Sequence, residues 1–340
     1  MNAGCRPTVA CRFAAWLRRL RLIAAGLLVG GAAVVQAASS TLTLAVADVP
    51  YSAPALIAEA QGWFAAEGLD LKIVHCAFGR VCLEQLLDGK AHLATVADTP
   101  ITLASFGRKA FAIVATLSAP GDEVRIVVRV DHGIATAADL RGKRIGVLMG
   151  TSGHYFTETF LRFHGIDPAD VSIVALESRD VAGALVSGQV DAAGLFAPHV
   201  DNALQRLGAK ARAFPALSFF NLTFNLVSVP ASAGASDDDV AKVLRALKRA
   251  DDLISNQPKL AQAITAKALK IDPKTLEENW KQYDFHVQLA PSLLSSLEAQ
   301  ARWAQRAQLV PAGAPLPDYL NFIRSGPLRR VDSRAVRLRE

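Results

Sequence analysis

Apolar positions recur with a period near two in some stretches and near 3.6 in others, and the two patterns take turns along the first two-thirds of the chain. TLTLAVADV (41–49) reads as a strand, and APALIAEAQGWFAAEG (53–68) as one helix closed by Gly68. LDLKIVHC (69–76) is the next strand. The helix VCLEQLLDG (81–89), the strand AHLATVA (91–97), the helix ITLASFG (101–107) and the strand FAIVATLS (111–118) follow. Strands alternating with helices imply an α/β fold with a mostly parallel sheet flanked by helices.

The unit then recurs. LEQLLDGKAHLATVADTP (83–100) lines up with VAGALVSGQVDAAGLFAP (181–198), with Gly89 matching Gly188, Leu93-Ala94 matching Ala192-Ala193, and a proline closing each unit. A second lobe therefore begins near GKRIGVLMGTSGHYFTETFLRFHG (142–165), itself a strand, a loop and a helix. Two extended runs, EVRIVVRV (123–130) and NLTFNLVSVP (221–230), read as crossings between lobes. After the second the pattern is nearly all helical. Ser236 caps a helix with acids in its first turn, and Pro273 and Pro291 each open another. These helices are expected to pack on the first lobe. That gives lobe one at 38–124 and 229–323, lobe two at 125–228, and a basic tail at 324–340.

Charge changes this picture at both ends. Arg18, Arg19 and Arg21 precede an apolar run from Leu22 to Val35, and small residues at Val35-Gln36-Ala37 suit cleavage. This is the order of a secretory signal peptide, and the run is shorter than the ~20 residues a membrane span needs. Arg18-Arg19 hints at twin-arginine export, although Leu20-Arg21-Leu22 is a poor match. Cleavage after Ala37 would remove five arginines and lower the formal charge from +6 to +1. The tail carries six arginines against Asp332 and Glu340, so the body is left near −3. Such a body has no broad basic surface for nucleic acid. The tail itself reads as a solvated segment.

Export also changes how the cysteines are read. Cys5 and Cys11 lie in the leader, leaving Cys76 and Cys82, six positions apart, in an oxidising compartment. A disulfide between them would close a strand-to-helix turn, stabilise the fold by roughly 2 kcal/mol, and stiffen the loop presenting Gly79 and Arg80. Two buried free thiols are the alternative.

PALIAEAQGWFAAEGLDLKIV (54–74), the two glycine-to-proline units and GTSGHYF (150–156), in this order and spacing, resemble type II periplasmic substrate-binding proteins of bacterial ABC importers. The similarity is greatest to the group taking up sulfonates, taurine, nitrate and thiamine-precursor pyrimidines, and it covers essentially the whole mature chain. The resemblance implies a two-lobed fold that captures a small ligand and delivers it to a permease and its ATPase in the inner membrane. It also implies a monomer without catalytic residues or cofactor. Enzymes of the pyrimidine-precursor synthase or lyase type share the fold and are the alternative. The clustered cysteines expected of the yeast-type synthases are missing, and the leader argues against a cytoplasmic enzyme.

In open α/β sheets ligands sit at the carboxyl ends of strands, against helix starts. Four loops meet that description. The first, ADVPYSAP, holds Asp48, Tyr51 and Ser52; the second, CAFGRVC, holds Phe78, Gly79 and Arg80. The third, ADTP, holds Asp98 and Thr99; the fourth, MGTSGHYF, holds Thr151, Ser152, His154 and Tyr155. Arg80 can fork a charged oxygen, and helix starts offer free N–H groups. Phe78, Tyr51, Tyr155 and Phe196 could wall an apolar part of the pocket. Asp48, Asp98 and Glu177 could take an amine or ring N–H. Rival chemistries fit poorly. GTSGH misses the G-x-S-x-G elbow, the histidines form no metal-binding pair, and no phosphate-binding P-loop occurs.

Overall fold

A computed structural model of the protein describes Met1 and residues 41–338, apart from 108, 109, 122, 178–180 and 221. The proposed leader, 1–37, lies outside the described residues apart from Met1. No helix among the described residues is long and apolar enough to cross a membrane.

The chain first builds β1 (Leu42–Ala47), α1 (Ala53–Ala60), α2 (Trp63–Ala66), β2 (Leu71–Cys76), α3 (Gly79–Leu87), β3 (Leu93–Ala97), α4 (Asp98–Ser105) and β4 (Ala112–Pro120). The single helix expected over 53–68 is two. Gly62, at φ 67°, takes a left-handed conformation that only glycine adopts cheaply, and the chain turns there. A second run follows: β5 (Arg125–Arg129), β6 (Arg144–Val147), α5 (Ser152–Phe163), β7 (Ser172–Ala175), α6 (Val181–Val186), β8 (Ala192–Leu195), α7 (His199–Leu207) and β9 (Ala211–Ala213). Then come β10 (Phe224–Ser228), α8 (Asp237–Asn256), α9 (Pro258–Leu269), α10 (Pro273–Asn279), β11 (Tyr283–Gln288), α11 (Pro291–Arg306) and α12 (Gly326–Val331).

Two sheets result, ordered β11-β4-β10-β3-β1-β2 and β7-β6-β8-β5-β9. Each is built on the same plan. β1 lies parallel to β2 and β3, and β6 lies parallel to β7 and β8. Leu44 faces Leu93 in the first sheet as Ile145 faces Ala192 in the second, so the repeated units occupy matching places. Beside β3 lies antiparallel β10, and beside β8 lies antiparallel β5. These are the two extended runs, and each enters the sheet its lobe builds from the side of the other. β1 and β3 are almost wholly buried, as strands covered by helices on both faces must be.

One strand escapes the sequence reading. β11 has the sequence YDFHVQ and alternates buried and exposed positions at the edge of the first sheet. α8 opens as expected, with Ser236 Oγ accepting from the Asp239 backbone N–H at 3.1 Å. It packs against α1, α9 and β11, while α11 packs against α4.

The basic tail is not a solvated segment. Arg324 donates to Asp237 Oδ1 at 2.6 Å and to the Ala235 and Val229 carbonyls, and its side chain is only 14% exposed. Leu328 is fully buried, α12 packs on α8, and the Arg337 N–H donates to the Leu289 carbonyl at 2.8 Å. Counting arginines misjudged this segment because apolar residues between them, Leu328, Val336 and Leu338, supply the packing.

Candidate ligand-binding cleft

The carboxyl ends of β1, β2, β3, β6 and β8 point to one place, where the starts of α3, α4 and α5 converge. A cavity of about 10 Å³ there is lined by Tyr51, Phe78, Gly79, Arg80, Ala97, Pro100, Thr151, Ser152, Phe196 and Phe224. The lobes touch across it. Phe78 from the first and Phe196 from the second meet edge to face, with ring centroids 6.1 Å apart. Larger voids flank this floor. One of about 790 Å³ includes Pro50, Pro198, Asp201 and Tyr283, and another of about 340 Å³ lies between Tyr155, Phe219, Phe220 and the serines of α11. The small floor, rather than the widest void, is where helix starts and an arginine coincide, so the chemistry is concentrated there.

Seven expected residues, Tyr51, Phe78, Gly79, Arg80, Thr151, Ser152 and Phe196, line this floor. Arg80 Nη1 pairs with Glu84 at 3.0 Å and its guanidinium lies 5.9 Å over the Phe78 ring. Arg80 Nε is buried without an acceptor among the described residues. Thr151 donates to the Leu148 carbonyl at 2.7 Å and so shapes the turn before α5. Ser52 and Thr99 adjoin lining residues, are fully buried, and hold hydroxyls with no hydrogen-bond partner among the described residues. Buried hydroxyls normally find partners, so these two stand out beside the floor. Gly79 also serves packing. A Cβ there would lie 3.0 Å from the Ala97 nitrogen, so glycine is what lets α3 close onto the end of β3.

Four other expected residues stand away from the floor. Asp48 accepts from His75 at 2.7 Å on the surface. Burial works against the charge on His75, but Asp48 and Glu59 outweigh it and raise its pKa. Asp98 is buried and turned inward, accepting from Ser296 Oγ at 2.7 Å and from the Thr223 N–H at 3.1 Å. Burial pushes its carboxyl up to about 6, against those hydrogen bonds. His154, 3% exposed, lies against Trp303 and Glu158. Tyr155 packs on Phe220 and Trp303 and borders the 340 Å³ void.

Cys76 and Cys82 are both free thiols, so the expected disulfide is not present. Cys76 Sγ contacts the Val74 carbonyl at 3.9 Å, while Cys82 lies on the fully buried face of α3, where burial drives its thiol well above the ordinary range. Among the described residues no group of three or more metal-ligating side chains occurs.

The sequence reading missed residues of the floor and a buried neighbour of Tyr51. Phe224 lines the floor from the returning strand β10, and its alternation signalled only a crossing. Pro100 was read as the end of a repeat and also lines the floor. Glu123, 2% exposed beside Tyr51, was read only as the start of a crossing. Burial holds its carboxyl well above the usual range, and the Tyr51 phenol offsets only part of this.

A family model described as NMT1/THI5 like matches residues 49–261, more than half of the chain. The chain belongs to this family. A Brucella abortus (strain 2308) protein named as a binding protein is 26% identical over 243 residues, covering 69% of this chain and 73% of that one. The taurine-binding periplasmic protein of Escherichia coli K12 is 28% identical over 171 residues, half of this chain and 52% of its own. Among solved structures, the alkanesulfonate-binding protein SsuA of Xanthomonas axonopodis pv. citri, bound to MOPS, superposes with a TM-score of 0.71 at 21% identity. That match covers 81% of this chain and 96% of SsuA, so this NMT1/THI5-like chain has the two-lobed fold of periplasmic binding proteins.

Proposed function

We propose that this chain is the solute-binding component of an ABC importer, capturing a small organic sulfonate between its lobes. One observation carries the reading. Three helix starts and Arg80 meet an aromatic wall of Tyr51, Phe78, Phe196 and Phe224, and Ser52 and Thr99, next to lining residues in sequence, hold hydroxyls without a partner among the described residues. Helix starts and a guanidinium favour an anion, hydroxyls satisfy its oxygens, and the rings suit a short apolar substituent. The names of the taurine- and alkanesulfonate-binding relatives support this ligand class. Lobe one is assigned 38–124 and 229–323, with 324–338 now joined to it, and lobe two 125–228. Removal of 1–37 would release the protein to the periplasm as a monomer, where a membrane permease and its ATPase receive the ligand.

Titration calorimetry of the exported protein with taurine, short alkanesulfonates and matched carboxylates tests this. Saturable binding of a sulfonate, with the ligand recovered unchanged, is expected. Steady turnover, or binding of none of the three, would sink it.

A further inference from the structure

Helix α5 serves two places at once. Its first residue, Ser152, lines the cleft, and within the next two turns His154, Tyr155 and Glu158 meet Trp303 of α11 in the other lobe. Trp303 of α11, 2% exposed, donates from Nε1 to Glu158 Oε2 at 3.1 Å. Glu158 Oε1 lies 3.4 Å from His154 Nε2, and Gly150 N donates to His154 Nδ1 at 3.5 Å. The Trp303 indole meets His154 edge to face at 5.2 Å and packs on Tyr155 at 5.0 Å. At its other end α11 is tied to the cleft again, because Ser296 donates to Asp98, the first residue of α4. The ring of contacts from α4 through α11 to α5 therefore encloses one side of the cleft without touching its floor.

We propose that the Trp303–Glu158 hydrogen bond, oriented by His154, is an interlobe latch that sets ligand affinity from outside the pocket. The inference rests on the binding-protein reading above. A carboxylate held in a mostly buried site needs its donor, and a buried indole N–H needs an acceptor. When the lobes part, Glu158 is hydrated and Trp303 uncovered, so the bond exists only in the closed state. A ligand that bridges both lobes binds with an apparent affinity scaled by the closed fraction. Loss of the latch lowers that fraction and speeds release, while the groups that touch the ligand are unchanged.

The test compares the parent with Trp303→Phe, which keeps a ring against His154 and Tyr155, and with Glu158→Ala and Glu158→Gln. Stopped-flow kinetics with taurine and butanesulfonate should show dissociation about tenfold faster in Trp303→Phe and Glu158→Ala, with association little changed. Glu158→Gln, which keeps an acceptor for the indole, should recover most of the loss. Small-angle scattering of the ligand-free proteins should show the first two variants more extended than the parent. Equal dissociation rates together with equal scattering overturn the latch. A parent that binds neither sulfonate, beside variants that are more extended, keeps the latch and sinks the ligand assignment instead.

Discussion

Among the described residues, Arg80 ion-pairs with exposed Glu84, lies over the Phe78 ring, and keeps a buried Nε without an acceptor. Its removal should therefore cost the ligand and not the fold. Arg80→Ala is expected to weaken sulfonate binding roughly ten- to hundredfold in calorimetry, with the ligand-free melting temperature nearly unchanged. Thr99 makes the opposite point. Its hydroxyl is fully buried and has no partner among the described residues, a cost of about 1 kcal/mol or more to the ligand-free protein. Thr99→Val should thus raise the ligand-free melting temperature and lower sulfonate affinity together. A fall in both would show that the hydroxyl serves folding rather than binding.

Among the elements, α5 and β8 pack closer than side chains permit. A Cβ on Gly153 would lie 2.6 Å from the Gly194 carbonyl oxygen, and one on Gly194 would fall on Thr157 Oγ1. The second glycine of GTSG therefore seats the helix on its strand. Gly194→Ala should destabilise by about 1–3 kcal/mol or more, read by urea unfolding, because neither backbone can give way. The C-terminal element behaves as core. Leu328→Ala removes a fully buried side chain between α12 and α8 and should cost about 2–5 kcal/mol. No measurable loss of stability would restore the view of the tail as a solvated appendage.

Across the whole molecule, Asp98 joins the first residue of α4, the crossing strand at Thr223 and α11 at Ser296. Its folded pKa is about 6 against an ordinary 3.8, chiefly through burial. Between those values the folded chain holds a proton that the unfolded chain has lost. Stability should therefore fall as pH rises from about 4 to 6, by up to roughly 3 kcal/mol from this group, and level off above. Asp98→Asn should flatten that slope in denaturant unfolding followed across pH. A slope unchanged in the variant would assign it to other carboxyls.

Local pattern was enough for most of the fold. Periods of two and 3.6 marked the strands and helices of both lobes, and the recurrence at Gly89 and Gly188 showed that one unit is built twice, because backbone geometry and burial act within ten residues. β11 went unread, since a six-residue alternation among helices is a weak signal until β4 is beside it. Loops at strand ends were legible as the candidate site for the same topological reason, and Tyr51, Arg80 and Ser152 meet at one floor. Which side chain in each loop faces the floor was not legible. Asp98 turns inward because Thr223 and Ser296 offer it donors, and His154 turns to Trp303, 149 positions away in sequence. The tail joins the core through Asp237, and Glu123 comes to rest beside Tyr51. Sequence fixes what each segment can bury; only the meeting of distant segments decides which polar group finds a partner and which is left for a ligand.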